Sequence, residues 1–210
     1  DQRWPPRAGL PSLECSPNFA TSPPMLERLK QLYTRADEQE AIQLLCDPSD
    51  YPALPAQDSR GIAIQLYVLP SFQPTMTWTL YRHPDSTFVL RRVRWDFIAD
   101  YQMMHRGLTA SAPTTYGADA ICPPSLVSSA LDELTSLSVP AYDPASSFGI
   151  DGVSFGFRRS SFSQSLEFSW WCHPPEGCEA LADWYHRFTA ELEDILPAHT
   201  DQFRLSAIRP

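Results

Sequence analysis

A period-two alternation of apolar and polar residues predicts β-strands in the first half of the chain. In residues 75–82 (TMTWTLYR) every second side chain is apolar and most of the others are threonine, which is typical of a strand with one buried face. The same alternation runs through residues 61–69 and 87–95, and the turn-forming segment HPDS at 83–86 separates the last two strands. The spacing predicts a three-stranded antiparallel meander.

Further strands are expected after the meander. The segment TTYGADAIC is expected to hold a short strand that ends before Pro123, and two alternating segments follow at residues 153–158 and 164–172. The serine-rich stretch between those two segments has the length of a hairpin connection. These segments bring the expected sheet to five or six antiparallel strands.

Three segments carry the three- and four-residue spacing of an amphipathic helix. The clearest is 178–196, in which large apolar residues recur at that spacing. Residues 124–137 begin with proline, which suits the first turn of a helix, and continue with a leucine-rich face. Residues 25–46 form a third apolar stripe that slips at 35–38, where Asp37 is expected to cap a second helix.

The order of these elements predicts an α+β fold. Residues 1–24 carry six prolines and no periodicity, so they are expected to form an extended arm. Residues 25–210 are expected to form a single domain, in which the antiparallel sheet buries one face under the amphipathic helices. The other face of the sheet is expected either to contact a partner or to be covered by the helix at 124–137 or by the arm.

The charge and composition of the chain indicate which kinds of partner it is expected to bind. The chain has 16 lysine and arginine residues against 25 aspartate and glutamate residues, a formal net charge of −9. This acidity disfavours nucleic acid as a partner, because nucleic-acid binding needs a basic surface, and it favours a basic protein. The sequence has no run of about 18 apolar residues, so no membrane span is expected.

The cysteines and the first residue bear on the compartment. Five cysteines at scattered spacing cannot all pair within one chain, which favours a reducing, cytoplasmic location. Cys172 and Cys178 bracket the short segment HPPEG, and a disulfide between them stays open. The sequence begins at Asp1 without methionine, so a periplasmic location is the alternative if a signal peptide was removed before that residue.

One motif suggests catalysis. Residues 152–156 read Gly-Val-Ser-Phe-Gly, the G-x-S-x-G pattern of the nucleophile elbow of serine hydrolases. An elbow needs a sharp turn from a strand into a helix, whereas the alternation here continues through Ser154 and a second strand follows. We therefore expect no catalytic residue. The alternative is a hydrolase that uses Ser154 with His186 and Asp183, or one that uses a histidine-bearing loop at 101–105.

The C-terminal cysteines and histidines raise the question of a metal site. They are Cys172, His173, Cys178 and His186. Structural zinc sites use paired ligands at short, regular spacing, and this spacing matches none of them. No metal and no other cofactor is expected.

Three arginines near the end of the third strand could form a basic patch. Side chains alternate between the two faces of a strand, so Arg91 is expected on one face and Arg92 and Arg94 on the other. The favoured interpretation is therefore salt-bridged arginines, with Asp96 and Asp100 as nearby acids.

The expected partner-binding residues lie on the outer sheet face and on the acidic side of the last helix. Aromatic and arginine side chains dominate the energy of protein interfaces, and acids attract a basic partner. On the last helix, the acids expected to face outward are Glu179, Asp183, Glu191, Glu193 and Asp194. The predicted contact residues are Tyr81, Arg158, Glu167, Trp171, Glu191 and Asp194.

The C-terminal third also carries a resemblance. The segments DGVSFGF and SLEFSWWCHPPEGCEALADWYHRFTAELEDIL, within residues 149–196, resemble small bacterial α+β proteins of the toxin-immunity type, which neutralise toxins of contact-dependent or type VI secretion systems. The matching positions are core residues, so no catalytic position is implied. The resemblance implies a non-enzymatic protein that binds and neutralises a toxin, and the net negative charge of the chain favours a basic toxin domain. A periplasmic adaptor is a further alternative.

Overall fold

An antiparallel sheet forms the centre of the molecule. Its strands are β1 Ile62–Pro70, β2 Thr75–Arg82, β3 Phe88–Trp95, β4 Thr115–Cys122, β5 Val153–Ser160, β6 Ser165–Trp171 and the two-residue β7 Phe203–Arg204. Their order across the sheet is β6-β5-β1-β2-β3-β4-β7. The computed structural model describes residues 33–52, 54–107, 112–140, 151–160, 164–197 and the backbone of 203–204.

Within the described residues, four helices accompany the sheet. They are α1 Ala36–Cys46, α2 Phe97–His105, α3 Pro124–Ser136 and α4 Glu179–Ile195, with short 3-10 turns at Pro48–Asp50 and Ser59–Gly61. The α+β class, with an antiparallel sheet of six long strands, is confirmed. The predicted arm at 1–24 and residues 25–32 of the first predicted helix lie outside the described residues.

The start of α1 differs from the expected cap. The helix begins after Arg35, whose backbone N–H donates to the carboxylate of Glu38 at 3.1 Å. Asp37 therefore lies within the first turn instead of capping the helix, and its carboxylate pairs with the guanidinium of Arg35.

Helices α3 and α4 cover one face of the sheet, which we call the first face. Even-numbered side chains of β1, β2 and β3 point toward these helices, and odd-numbered ones do so from β5. Trp184 of α4 is buried there and donates its indole N–H to the carbonyl of Ala130 on α3 at 2.9 Å. The core of this face includes Leu66, Trp78, Leu80, Leu90, Val127, Phe157, Trp184, Phe188 and Leu192. The apolar stripe predicted at 178–196 is thus the face of α4 that packs against the sheet.

Helix α1 covers the opposite, second face, so the helices do not share one face as expected. Its Ile42 and Leu45 are buried against Tyr67, Val93 and Trp95 of β1 and β3. The 3-10 turn Pro48–Asp50 continues this cover over β2 and β3. The centre of the sheet is therefore buried on both faces, and its second face is not covered by the helix at 124–137.

Arg91 ties the second face to the segment that follows α1. Its side chain is fully buried, and its Nε and Nη2 donate to the carboxylate of Asp119 on β4 at 2.8 and 2.7 Å. The remaining N–H groups donate to the carbonyls of Pro48, Ser49 and Pro55 at 2.5–2.9 Å. Each of the five N–H donors of the guanidinium thus has an acceptor.

Arg92 performs the corresponding role on the first face. Its Nη1 donates to the carboxylate of Glu193 at 3.2 Å and to the carbonyl of Leu196 just after α4. The same carboxylate accepts a 2.6 Å hydrogen bond from the indole of Trp78. Glu193, which the helical pattern places among the outward acids, is therefore turned toward the sheet.

The expected explanation of the arginines as salt-bridged residues is confirmed for Arg91 and Arg92. Their partners are Asp119 and Glu193, which are distant in sequence, rather than Asp96 and Asp100. Arg94 lies with its guanidinium carbon 4.4 Å from the centroid of the Tyr116 ring. These arginines therefore serve packing within the sheet and its covering layers.

We expect Arg91→Ala to lower the free energy of unfolding by about 3–5 kcal/mol, because it leaves Asp119 without its counter-charge and three carbonyls without donors. Urea denaturation followed by circular dichroism measures this change. Arg60→Ala is the matched control, since the Arg60–Asp58 pair is exposed and its loss leaves the urea midpoint unchanged. Equal stability of Arg91→Ala and wild type would contradict the role given to Arg91.

We also expect stability to fall as pH rises above about 10. Burial raises the pKa of Tyr81 to about 12, and it raises the pKa of Tyr67 and Tyr185 further. An unfolded tyrosine ionises near pH 10, so the folded state binds more protons than the unfolded state above that pH. The stabilisation is complete below pH 10 and is lost at higher pH.

An ultraviolet titration of the phenolate band, run beside circular dichroism, tests this expectation. Tyr67, Tyr81 and Tyr185 should ionise only together with unfolding. Ionisation of all eight tyrosines near pH 10 with the fold intact would contradict it.

Candidate functional site

Ser154 of the G-x-S-x-G motif lies inside β5. Its backbone is in register with Leu69 of β1 and with Trp171 of β6, and its side chain is 5% exposed. The chain continues through the strand to Ser160, and the next described element is the strand β6. The strand-to-helix turn of a nucleophile elbow is therefore not formed at Ser154.

The proposed partners of Ser154 lie on the other side of the sheet. His186 packs on Phe155, with 5.1 Å between the ring centroids, and Phe155 belongs to the first face. Successive side chains of a strand point to opposite faces, so Ser154 points to the second face. The structure therefore does not bring Ser154, His186 and Asp183 together.

The histidine-bearing segment at 101–105 is not a loop. It forms the second half of α2, where the rings of Tyr101 and His105 lie 4.3 Å apart. Tyr101 is exposed.

The two glycines of the motif have a packing explanation. A Cβ on Gly156 would overlap the hydroxyl of Tyr67 and would lie 2.6 Å from the carbonyl oxygen of Phe168. A Cβ on Gly152 would lie 2.5 Å from the sulfur of Cys172 and 2.6 Å from the Trp171 ring. Both positions lack room for a side chain, which accounts for glycine on either side of Ser154 without catalysis.

The candidate metal ligands are dispersed. In the described part of the chain, no group of three or more histidine, cysteine or acidic side chains is placed to hold a metal ion. Cys172 is exposed and Cys178 is buried, and both are free thiols in this structure.

Tyr81 is buried, whereas a contact residue is expected on the surface. Its side chain is 1% exposed, and its hydroxyl lies 3.4 Å from Ser49 Oγ beneath the 3-10 turn. The guanidinium of Arg91 lies over its ring. This burial removes Tyr81 from the expected contact surface.

Three other predicted contact residues are half-buried near the β5–β6 edge. Arg158 donates to the carbonyl of Cys46 at the end of α1, and Glu167 accepts a 3.2 Å hydrogen bond from the hydroxyl of Tyr67. Arg158 and Glu167 are in register across β5 and β6, whereas Trp171 lies at the far end of β6. The first two side chains therefore already support the fold.

Glu191 and Asp194 are exposed and lie three residues apart on α4, which places them side by side. They belong to a group of six exposed acids on α3 and α4, which we call the acidic helical surface. Its members are Asp132, Glu133, Glu179, Asp183, Glu191 and Asp194. Arg187 is the one arginine or lysine on these two helices, and its guanidinium pairs with Glu133.

A groove of about 990 Å³ lies at the end of the sheet where β1 and β3 begin and β2 and β5 end. We call it the strand-end groove. Residues that line it include Ile62, Arg82, Phe88, Leu131, Asp132 and Arg159. No local motif in the sequence predicts this groove, because its lining comes from segments far apart in the chain.

Comparisons of the chain with protein-family models, with curated proteins and with solved structures find no match. In the described residues, no helix is both long and apolar enough to cross a membrane.

The packing account of the motif predicts opposite sensitivities for its glycine and its serine. We expect Gly156→Ala to lower the free energy of unfolding by about 1–3 kcal/mol through overpacking. Ser154→Ala should have a much smaller effect, because it removes one hydroxyl group and adds no atom to the packed site. Urea denaturation of both variants measures the difference.

The double variant Gly156→Ala/Tyr67→Phe serves as the control for this explanation. It removes the tyrosine hydroxyl but leaves the ring carbon Cζ at 2.5 Å and the Phe168 carbonyl oxygen at 2.6 Å from the added Cβ, so it should restore at most a small part of the lost stability. A stable Gly156→Ala protein together with an unstable Ser154→Ala protein would contradict the packing account.

Proposed function

We propose that this chain is a non-enzymatic binding protein of the toxin-immunity type, and that it binds and neutralises a basic toxin domain through the acidic helical surface. The observation that carries the proposal is the concentration of six exposed acids on α3 and α4 beside a single arginine. Surface charge of one sign steers an oppositely charged partner and raises its association rate.

The rigidity of this surface supports the proposal. Trp184 bonds α4 to α3, and the Arg187–Glu133 pair links the two helices at the surface. The end of α4 is held to the sheet by Glu193 and Arg92. A preorganised surface loses little conformational entropy on binding, which favours a tight complex.

The arrangement of the catalytic candidates is consistent with a binding role. Ser154 and His186 lie on opposite faces of the sheet, and the two acids predicted as contacts on α4 are exposed and adjacent. Of the predicted contact residues, Glu191 and Asp194 are the two that are exposed.

The charge-reversal variant Glu191→Lys/Asp194→Lys tests the proposal. Affinity capture with the wild-type chain from the source bacterium should yield a stoichiometric basic protein whose expression arrests growth, and co-expression of the wild-type chain should restore growth. For the purified pair, the double variant should slow association by about tenfold or more and fail to restore growth. Biolayer interferometry at two salt concentrations and a growth assay measure these effects.

Glu40→Lys/Asp50→Lys is the control, since it changes the net charge equally at exposed acids away from α3 and α4. It should bind and protect like wild type. A captured partner that binds both double variants equally well, or a partner without toxicity, would rule out the proposed role of the acidic helical surface.

A further inference from the structure

The strand-end groove has a sheet wall and a helix wall of different chemistry. Ile62 and Phe88 supply apolar surface from the sheet, and Leu131 supplies it from α3. Arg82 and Arg159 stand on the sheet side, whereas Asp132 stands on the helix side. The groove therefore combines an apolar floor with positive charge along one wall.

The two arginines of the sheet wall are not neutralised by the protein. Neither Arg82 nor Arg159 forms an ion pair or a side-chain hydrogen bond with any residue that the structure describes. Arg60, also at the rim, is held by Asp58 at 3.1 Å. In a chain with a net charge of −9, two unpaired guanidinium groups beside partly exposed apolar side chains indicate a site for carboxylates.

The register of the strands gives the distance between these arginines. Arg159 of β5 follows Arg158, which pairs with Gln65 of β1, and Arg82 lies two strands away at the end of β2. Strand spacings of about 4.8 Å and a rise of about 3.3 Å per residue place the two Cα atoms roughly 12 Å apart. Carboxylates at positions i and i+4 of an extended peptide span about 13 Å.

The apolar surface continues past Arg159. Leu166 of β6 is in register with Arg159 and is 50% exposed. The groove itself crosses the ends of β3, β2, β1 and β5, a width of about 14 Å, which is the length of four extended residues. Its length and open shape suit a chain segment.

We propose that the strand-end groove binds a short extended segment of a partner protein that carries two carboxylates four residues apart with an apolar residue between them. The carboxylates pair with Arg82 and Arg159, and the apolar side chain between them lies over Ile62. Asp132 repels carboxylates from the helix wall. The face of the segment that carries the two carboxylates therefore turns toward the sheet. A nucleic acid does not fit, because its binding requires more phosphate contacts than two arginines provide.

The capped peptide Glu-Ser-Leu-Ser-Glu is the probe, titrated into the methyl-labelled full chain and followed by nuclear magnetic resonance. The methyl signals of Ile62 and Leu131 should shift with saturation. The analogues with lysine or glutamine at both glutamate positions should bind about tenfold more weakly or not at all, because a charge-assisted hydrogen bond is lost at each arginine. Arg82→Ala and Arg159→Ala should each lower the affinity for the glutamate peptide by about five- to tenfold, whereas Asp132→Asn should raise this affinity.

Arg187→Ala is the control and should leave the affinity unchanged, since this arginine lies outside the groove. Equal binding of the lysine and glutamate peptides would overturn the proposal. So would retained binding in Arg82→Ala/Arg159→Ala, or an absence of shifts at the solubility limit of the peptide.

The groove and the acidic helical surface share Asp132, but the other residues that carry each proposal differ. Glu191→Lys/Asp194→Lys should leave the peptide affinity of the groove unchanged, and Arg82→Ala/Arg159→Ala should leave the binding of a basic partner unchanged. The failure of either proposal is thus recognised without the other.

Discussion

The structure depends on two consecutive arginines of β3 that point to opposite faces of the sheet. Arg91 donates hydrogen bonds to three backbone carbonyls of the segment after α1, and Arg92 donates one to the carbonyl of Leu196 at the end of α4. Burying a guanidinium costs free energy unless its N–H donors have acceptors. Each covering layer supplies these acceptors in only one position relative to β3. The two side chains therefore fix the positions of both covering layers relative to β3.

The second face differs from the first because its centre is polar. Gln65 donates to the carbonyl of Leu45 on α1 and to the hydroxyl of Thr79, which fixes where α1 lies. Its carbonyl oxygen and the hydroxyl of Thr77 are buried without a partner in the described structure, which lowers stability. We infer that this face contributes positional specificity, while the larger apolar core under α3 and α4 supplies most of the stability.

Local periodicity was sufficient to predict the elements but not their contacts. The alternation and the helical stripe are local properties, so the strands and the helix at 178–196 were found close to their actual bounds. The cover of the second face, the inward turn of Glu193 and the burial of Tyr81 depend on partners far away in sequence. One local signal favoured a covered second face, because Tyr67, Val93 and Trp95 place large apolar groups on strand positions that point to it.

The acidic helical surface and the strand-end groove follow different electrostatic rules. The net charge of −9 attracts a basic protein over a distance of about 10 Å, the Debye length at moderate salt, and repels an acidic segment over the same distance. An acidic segment therefore reaches Arg82 and Arg159 against the overall field and is held by short-range hydrogen bonds and apolar contact. Added salt screens the field in both cases, so it slows association at the helices and speeds association at the groove. The sign of this dependence distinguishes a partner that binds at the helices from one that binds in the groove.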